Sequence, residues 1–536
     1  MVAHRVSRIS EGTGSQVPAS VPTETVQFDH RSEHQVAGVL KAERAPLPRQ
    51  ILLARRVGVG LLGVQLVVMV GFSMLLYHRY DLTQDYAQYA QAWYAIAHGH
   101  LNPWDSVNHY PFWQNHAEFV LWPLAFLYFV LPHAVDLLWV QDLALVGTEL
   151  VCFLWVIDVL ERSRPAIGVR AAAMATVAVA VALVADPWVY NTAAFDFHST
   201  SVAGFFLVLA GRDLWLRRHR RMVWWIVGAL LSESLAGLCV AAIGVSGLWT
   251  GQGRRRAGAV LVVVGVAWIA TMALLAGHIG NVSIAHNYGY LVSHPSRHTG
   301  LLAVAAGVVT HPGAVLAHIA ARWQYLLVYL GAVGLVGVVS PWALPMAIAV
   351  FVPSLLAVNP AFIGLFQAFQ QWPALPFVLV GTVMVMVGLR RHRYMSTLRA
   401  TIALAGALVA MLAVARLPEV VPSYLAVRPA AARTLAHLHG EIAPEAEVIA
   451  SQGVAGRFAD RKDVEAFAHP NQAFPVTDHT VVFIITATQG VGEPWPASTQ
   501  AALRTIEHLG ARRILARDGI AAFIWHPVHQ RRIVLP

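Results

Sequence analysis

Residues 58–77 read GVGLLGVQLVVMVGFSMLLY, and residues 80–85 follow them as YDLTQD. A run of about 20 apolar residues is the length of a bilayer-crossing helix. Arg55 and Arg56 stand just before it. Positive charge favours the cytoplasmic side, so this span leaves the membrane on the outer face. Asp81 and Asp85 then sit at the outer mouth of the span. A carboxylate at that depth is costly unless it meets water, a cavity or a partner, which makes both of them functional candidates.

Composition agrees with a polytopic membrane protein. Of 536 residues, 57% are hydrophobic and only 12% are charged. Mean hydropathy is +0.55, far above a soluble chain of this size. The formal net charge is +9, but the basic residues fall in short loops between apolar runs. They read as orientation signals rather than a nucleic-acid surface, so no nucleic-acid partner is expected. The two cysteines, Cys152 and Cys239, lie inside apolar runs and read as inert core residues.

Residues 1–50 are polar and without periodicity, as in a disordered cytoplasmic tail. Beyond the first span, further apolar runs cover residues 134–160, 170–185, 197–216, 223–231 paired with 235–248, 257–276, 323–339, 342–358, 372–389 and 397–415. The pair is short and flanks Ser232-Glu233-Ser234. Two half-length helices meeting at a recessed polar turn keep Glu233 out of lipid. The expected count is about eleven transmembrane helices. The loops assigned to the cytoplasm hold Arg162, Arg164, Arg170, Arg212, Arg217, Arg218, Arg220, Arg221, Arg254, Arg255, Arg256, Arg390, Arg391, Arg393 and Arg399. The outer loops hold Arg79, Arg297 and Arg322. This asymmetry places the N-terminus inside and the C-terminal region outside.

Residues 118–132 are apolar enough for a span, but counting them as one inverts every later loop. With residues 86–97 they read as helices in or near the outer interface, inside a first outer loop at 78–133. Tyr86, Tyr89, Ala90, Trp93 and Ala97 form an apolar stripe, with Gln88 and Gln91 largely off it. From residue 418 to 536, strand-like runs at 447–451, 481–488, 513–516 and 521–525 alternate with helical patterns at 428–439 and 499–509. The expected architecture is an all-α polytopic domain at 51–417 followed by a small extracytoplasmic α/β domain. No phosphate loop, metal-ligand spacing or nucleophile elbow marks that C-terminal part.

Polar groups from distant parts of the chain fall on the outer face. They are Asp81, Asp85, His98, His116, Asp196, His198, Glu233, Arg297 and Arg322. Each also has a plain structural reading, Asp85 above all, since Asp caps helix N-termini. Their convergence on one side is what makes them a candidate site.

The order of motifs resembles a widespread bacterial family of multi-spanning membrane proteins grouped with the GT-C glycosyltransferase superfamily. The motifs are Asp85-(x)5-Gln91-Ala92-Trp93, Ala97-His98-Gly99-His100, His116, Leu131-Pro132, Leu137-Leu138-Trp139-Val140-Gln141, Phe195-Asp196-Phe197-His198 and a mid-span Glu233. The resemblance covers most of residues 55–450. It departs from the family pattern at Ser232, where Lys is usual, and at Thr200, where an acid is usual. It implies a GT-C-like fold and transfer of a sugar from a polyprenyl-phosphate donor to an envelope glycan, lipid or protein acceptor outside the cytoplasm. It also implies an inverting reaction with an outer-loop Asp as base, Asp85 first and Asp81 second. His98, His116, Asp196, His198, Glu233, Arg297 and Arg322 then bind substrate, and a divalent cation is an alternative means of stabilising the leaving phosphate. The competing expectations are a transporter or flippase, with Glu233 as a coupling site, and a non-catalytic scaffold of envelope assembly.

Overall fold

The computed structural model describes residues 48–536 apart from 116, 132–134, 252, 297, 364–368, 391–424, 487–495 and 529–531. Expectations for His116, Arg297, the run at 397–415 and residues 1–47 lie outside the described residues.

The apolar runs fold as helices. In order they are α1 Arg49–Arg79, α2 Gln84–Ala97, α3 Leu121–Tyr128, α4 Val135–Ile167, α5 Val169–Val184, α6 Pro187–Ala194, α7 Ser199–Trp215, α8 His219–Ser232, α9 Ala236–Thr250, α10 Arg255–Ile279, α11 Val282–Tyr288, α12 Leu301–Thr310, α13 Pro312–Arg322, α14 Gln324–Ala332, α15 Leu344–Leu356 and α16 Leu375–Arg390. A two-residue hairpin, β1 Trp104–Asp105 and β2 Tyr110–Pro111, lies between α2 and α3. Among the described residues, α1, α4, α5 with α6, and α10 are each long and apolar enough to cross a bilayer. The pair α12–α13 qualifies as a fifth only as a single element bent by 92°. The other expected spans appear as shorter helices. Thus α8 and α9 have 14 and 15 residues and are separated by the turn that holds Glu233.

That turn is braced from behind. Gly244 on α9 lies so close to α10 that an added Cβ would stand 2.6 Å from the Gly258 carbonyl oxygen. Small residues permit this backbone contact, which locks the two helices and fixes where the turn emerges.

The C-terminal region continues with α17 Pro429–Glu441, β3 Glu447–Ser451, β4 Val464–Phe467, β5 Gln472–Pro475, β6 Val481–Thr486, α18 Pro496–His508, β7 Arg512–Arg517, β8 Ile520–Trp525 and β9 Arg532–Leu535. Five strands form one sheet in the order β4-β3-β6-β8-β7, and β5 pairs with β9. Strand β3 runs parallel to β4 and β6, while β8 is antiparallel to β6 and β7. Side chains alternate across the sheet. Ile449, Phe483, Ile485 and Phe523 pack with Ala502 and Ile506 of α18. Val448, Ala450, Val482, Ile484 and Ala522 face the other way, into a core shared with α17, Leu82, Tyr86 and Phe197. Residues Arg49–Pro536 therefore form one compact unit.

Helix α2 is covered on its polar face as well as its apolar one. Tyr86, Tyr89 and Trp93 are buried, but so are Gln88 and Gln91. The polar face is covered because Gln91 donates to the Lys462 carbonyl and, at 2.7 Å, to Ser106 Oγ. Helix α2 is packed within the protein, with the C-terminal region against its polar side.

Candidate functional site

The site is built around the N-termini of α2 and α7. Thr83 caps α2, its hydroxyl accepting from the Asp85 amide at 3.2 Å. Asp196 adds a second cap from 113 residues away. Its Oδ2 accepts the Thr83 amide at 3.1 Å, the Tyr86 amide at 3.2 Å and the Thr83 hydroxyl. Orphan amides at a helix start and the positive end of the helix dipole both favour such a carboxylate. Burial nevertheless pushes the Asp196 carboxyl up to about 7, the hydrogen bonds to Thr83 and Tyr86 opposing that shift.

Gln141 anchors the backbone of the Asp196 loop. Gln141 on α4 donates from Nε2 to the carbonyls of Thr192, Phe195 and Asp196 at 3.1, 3.2 and 3.3 Å. Its Oε1 accepts the His198 amide at 2.8 Å and the Ser201 hydroxyl at 3.3 Å. His198 is buried, with Nδ1 3.0 Å from the Asp196 carbonyl and its ring stacked 3.6 Å from Phe369.

A second strand of the network runs from α2 to the recessed turn. The Tyr89 hydroxyl donates to Glu118 Oε1 at 3.1 Å, and Ser199 donates to Glu118 Oε2. Next to Ser199, Thr200 donates to Glu233 Oε2 at 2.8 Å. Glu233 Oε1 accepts the Leu235 amide at 3.3 Å and the Ser234 hydroxyl at 3.2 Å, just before α9 begins. The Val120 amide donates to the Leu231 carbonyl at 2.7 Å, tying the segment after Glu118 to the same turn. Tyr89 also touches the ring of His198 edge-on at 5.5 Å. Thr200 and Glu233 form the polar end of a largely apolar cavity of ≈ 60 Å³ between α7, α9 and α15.

Asp85, Asp196, His198 and Glu233 are thus connected through Thr83, Tyr89, Glu118, Ser199 and Thr200. Asp85 is the second residue of α2 and is half-buried, with Oδ1 accepting from Gln88 Nε2 at 3.4 Å. Asp81 is buried, and its Oδ2 accepts the Val427 amide at 3.3 Å. His98 is elsewhere, at the exposed C-terminal end of α2, with Nδ1 2.7 Å from the Tyr94 carbonyl. Arg322 is not brought to the network. Its guanidinium donates to the Val358 carbonyl at 2.9 Å and to the Ala357 carbonyl, complementing the C-terminal end of α15. Among the described residues, no three His, Cys, Asp or Glu side chains converge as a metal site.

Sequence reasoning missed Glu118 as a site residue. It was legible only as the polar start of an apolar segment, and its partners lie 29 and 81 residues away.

Burial raises the Asp81 carboxyl to about 7, the Val427 amide opposing the shift. An acid whose pKa is raised on folding stabilises the fold fully below its unfolded pKa. That contribution is lost as pH rises through the folded pKa, at a limiting slope of about 1.4 kcal/mol per pH unit. The window here runs from about 4 to about 7. Asp81→Asn should flatten the fall in melting temperature across that window; an unchanged pH profile counts against this burial.

The family model described as predicted membrane protein (DUF2079) matches residues 75–508, and the chain belongs to that family. Two crystal structures of ArnT from Cupriavidus metallidurans are similar to it. The one bound to undecaprenyl phosphate is 13% identical, covers 85% of this chain and 97% of its own, and superposes with a TM-score of 0.44. The apo structure is 12% identical over the same shares, with a TM-score of 0.41. No curated protein sequence matches.

Proposed function

We propose that this multi-pass membrane protein transfers a sugar from a polyprenyl-phosphate carrier to a cell-envelope acceptor on the extracytoplasmic side. One observation carries the assignment of the base. Of the three aspartates around the start of α2, Asp81 and Asp196 are buried and Asp85 is half-exposed, while the half-exposed Glu233 has both oxygens taken up by Thr200, Ser234 and the Leu235 amide. The motif order supports the chemistry, and the Arg distribution supports the side.

In this reading Asp85 takes the proton of the acceptor hydroxyl as that oxygen attacks the anomeric carbon. The bond from that carbon to the phosphate oxygen breaks on the opposite face, so the configuration inverts. The electron pair leaves with the polyprenyl phosphate. The network of Tyr89, Glu118, Ser199, Thr200 and Glu233 fixes the surrounding elements so that the acceptor meets Asp85 in one geometry. Arg297 and His116, which the resemblance places at the substrate, would offset the charge of the leaving phosphate.

A transporter or flippase is the second reading. Asp142 and Glu149 are buried in α4, and Asp142 accepts Ser73 Oγ of α1 at 2.8 Å. Acids at such depth also mark transport pathways.

The test is purified protein in liposomes with a panel of polyprenyl-phosphate sugars and envelope acceptors. Release of polyprenyl phosphate from donor in the leaflet facing the C-terminal region supports transfer. Movement of intact donor between leaflets without release supports the transporter.

A further inference from the structure

The C-terminal region touches the chain immediately around Asp85, and it does so with backbone as well as side chains. Residues Gln452–Phe458 form a short 3₁₀ segment between β3 and β4. The Gly456 amide donates to the Leu82 carbonyl at 3.0 Å. A Cβ on Gly456 would stand 2.7 Å from Leu82 Cβ and 2.8 Å from the Leu82 carbonyl oxygen. Only glycine permits that approach without moving the loop between Asp81 and Asp85.

Arg457 completes the contact. It donates to the Tyr77 hydroxyl at 2.7 Å. Its guanidinium carbon lies 3.7 Å from the centre of the Tyr77 ring and 4.8 Å from that of Tyr80. Cations over aromatic faces are attracted by the ring quadrupole. Tyr80 needs such support, because its φ of 61° is left-handed, a conformation that costs a bulky residue on the order of 1–3 kcal/mol. Phe458 packs on the same ring at 5.8 Å. Farther along, Arg79 donates to the Val427 carbonyl at 3.2 Å, and the Val427 amide returns to Asp81 at 3.3 Å. Beyond α2, the Ser106 hydroxyl accepts the Val464 amide at 2.9 Å.

We propose that Gly456 and Arg457 are positioning residues, and that the C-terminal region is a brace that holds the 80–85 loop and so sets where Asp85 stands. The left-handed Tyr80 closes the end of α1, where the Asp81 amide donates to the Leu76 carbonyl at 3.1 Å, and a segment some 370 residues later in the chain packs over that turn. The consequence for chemistry rests on the sugar-transfer reading; the brace itself does not.

The experiment uses full-length protein and three variants. Gly456→Ala inserts a methyl group into the contact. Arg457→Lys keeps the charge but loses the planar fork, and serves where Gly456→Ala does not accumulate. Gly440→Ala is the control, since a Cβ there meets nothing within 4 Å. Hydrogen exchange of peptides covering residues 77–90 is read beside release of polyprenyl phosphate. The brace predicts exchange in that segment faster by about tenfold in Gly456→Ala and Arg457→Lys, with β3 and β6 still protected. It also predicts kcat lower by about tenfold or more with little change in KM for the donor. Exchange at 77–90 equal to that of Gly440→Ala overturns the brace. Faster exchange with undiminished kcat overturns the positioning role. If the parent protein uses no donor, the transferase reading fails, and the exchange result alone decides for or against the brace.

Discussion

Gln141→Leu is expected to collapse the site around Asp196 and to destabilise the protein by about 3 kcal/mol or more. The side chain makes three donor contacts and two acceptor contacts to the 192–201 segment. Leucine keeps much of the volume but takes the Gln141 contact from the Thr192 and Phe195 carbonyls and the His198 amide, while the Asp196 carbonyl keeps its contact with His198 Nδ1. Each buried polar group left unmade costs on the order of 1–3 kcal/mol. Because Asp196 then loses its fixed position, the second cap of α2 goes with it. Thermal unfolding in detergent, with hydrogen exchange at residues 192–201 and 83–88, checks this. Loss of protection in the first segment should bring loss in the second.

Asp85→Asn is expected to leave a folded, membrane-inserted protein whose transfer rate falls by about 10²–10⁴-fold, the usual cost of a missing general base. Asparagine preserves shape and accepts from Gln88 as before, but it has no basic oxygen. Asp85 is half-buried and does not itself cap α2, because Thr83 and Asp196 do that. The melting temperature should therefore move by only a few degrees, a change of about 1 kcal/mol or less. Donor binding should persist, since a group acting on the acceptor proton contributes to the transition state rather than to donor affinity.

The sequence made much of the architecture readable. The first span, the half-length pair around Glu233 and strand β3 at Glu447–Ser451 follow from apolar length, a mid-run acid and a short run holding the β-branched pair Val448-Ile449. Helices α12 and α13 did not, because their apolar runs have 10 and 11 residues and break at His311-Pro312. Strand β4 was hidden too, being four residues long with Glu465 inside it. In the site, Asp196, His198 and Glu233 stood out because acids and histidines are costly beside apolar spans. Their connections did not. Glu118 finds Ser199, and Gln141 finds the 192–198 carbonyls, only once α2, α4 and α7 pack together. The reading of α2 shows the same limit. Gln88 and Gln91 read as lying off its apolar stripe, and periodicity cannot say that the C-terminal region covers them.

The central claim is that Asp85 is the base and Asp81 a buried structural acid. It is tested most directly by comparing polyprenyl phosphate release by the parent, Asp85→Asn and Asp81→Asn under identical conditions, at pH 7 and saturating donor. The account predicts a fall of about 10²-fold or more for Asp85→Asn and a change of less than about tenfold for Asp81→Asn. Near-parental release by a folded Asp85→Asn protein, with Asp81→Asn inactive, contradicts it.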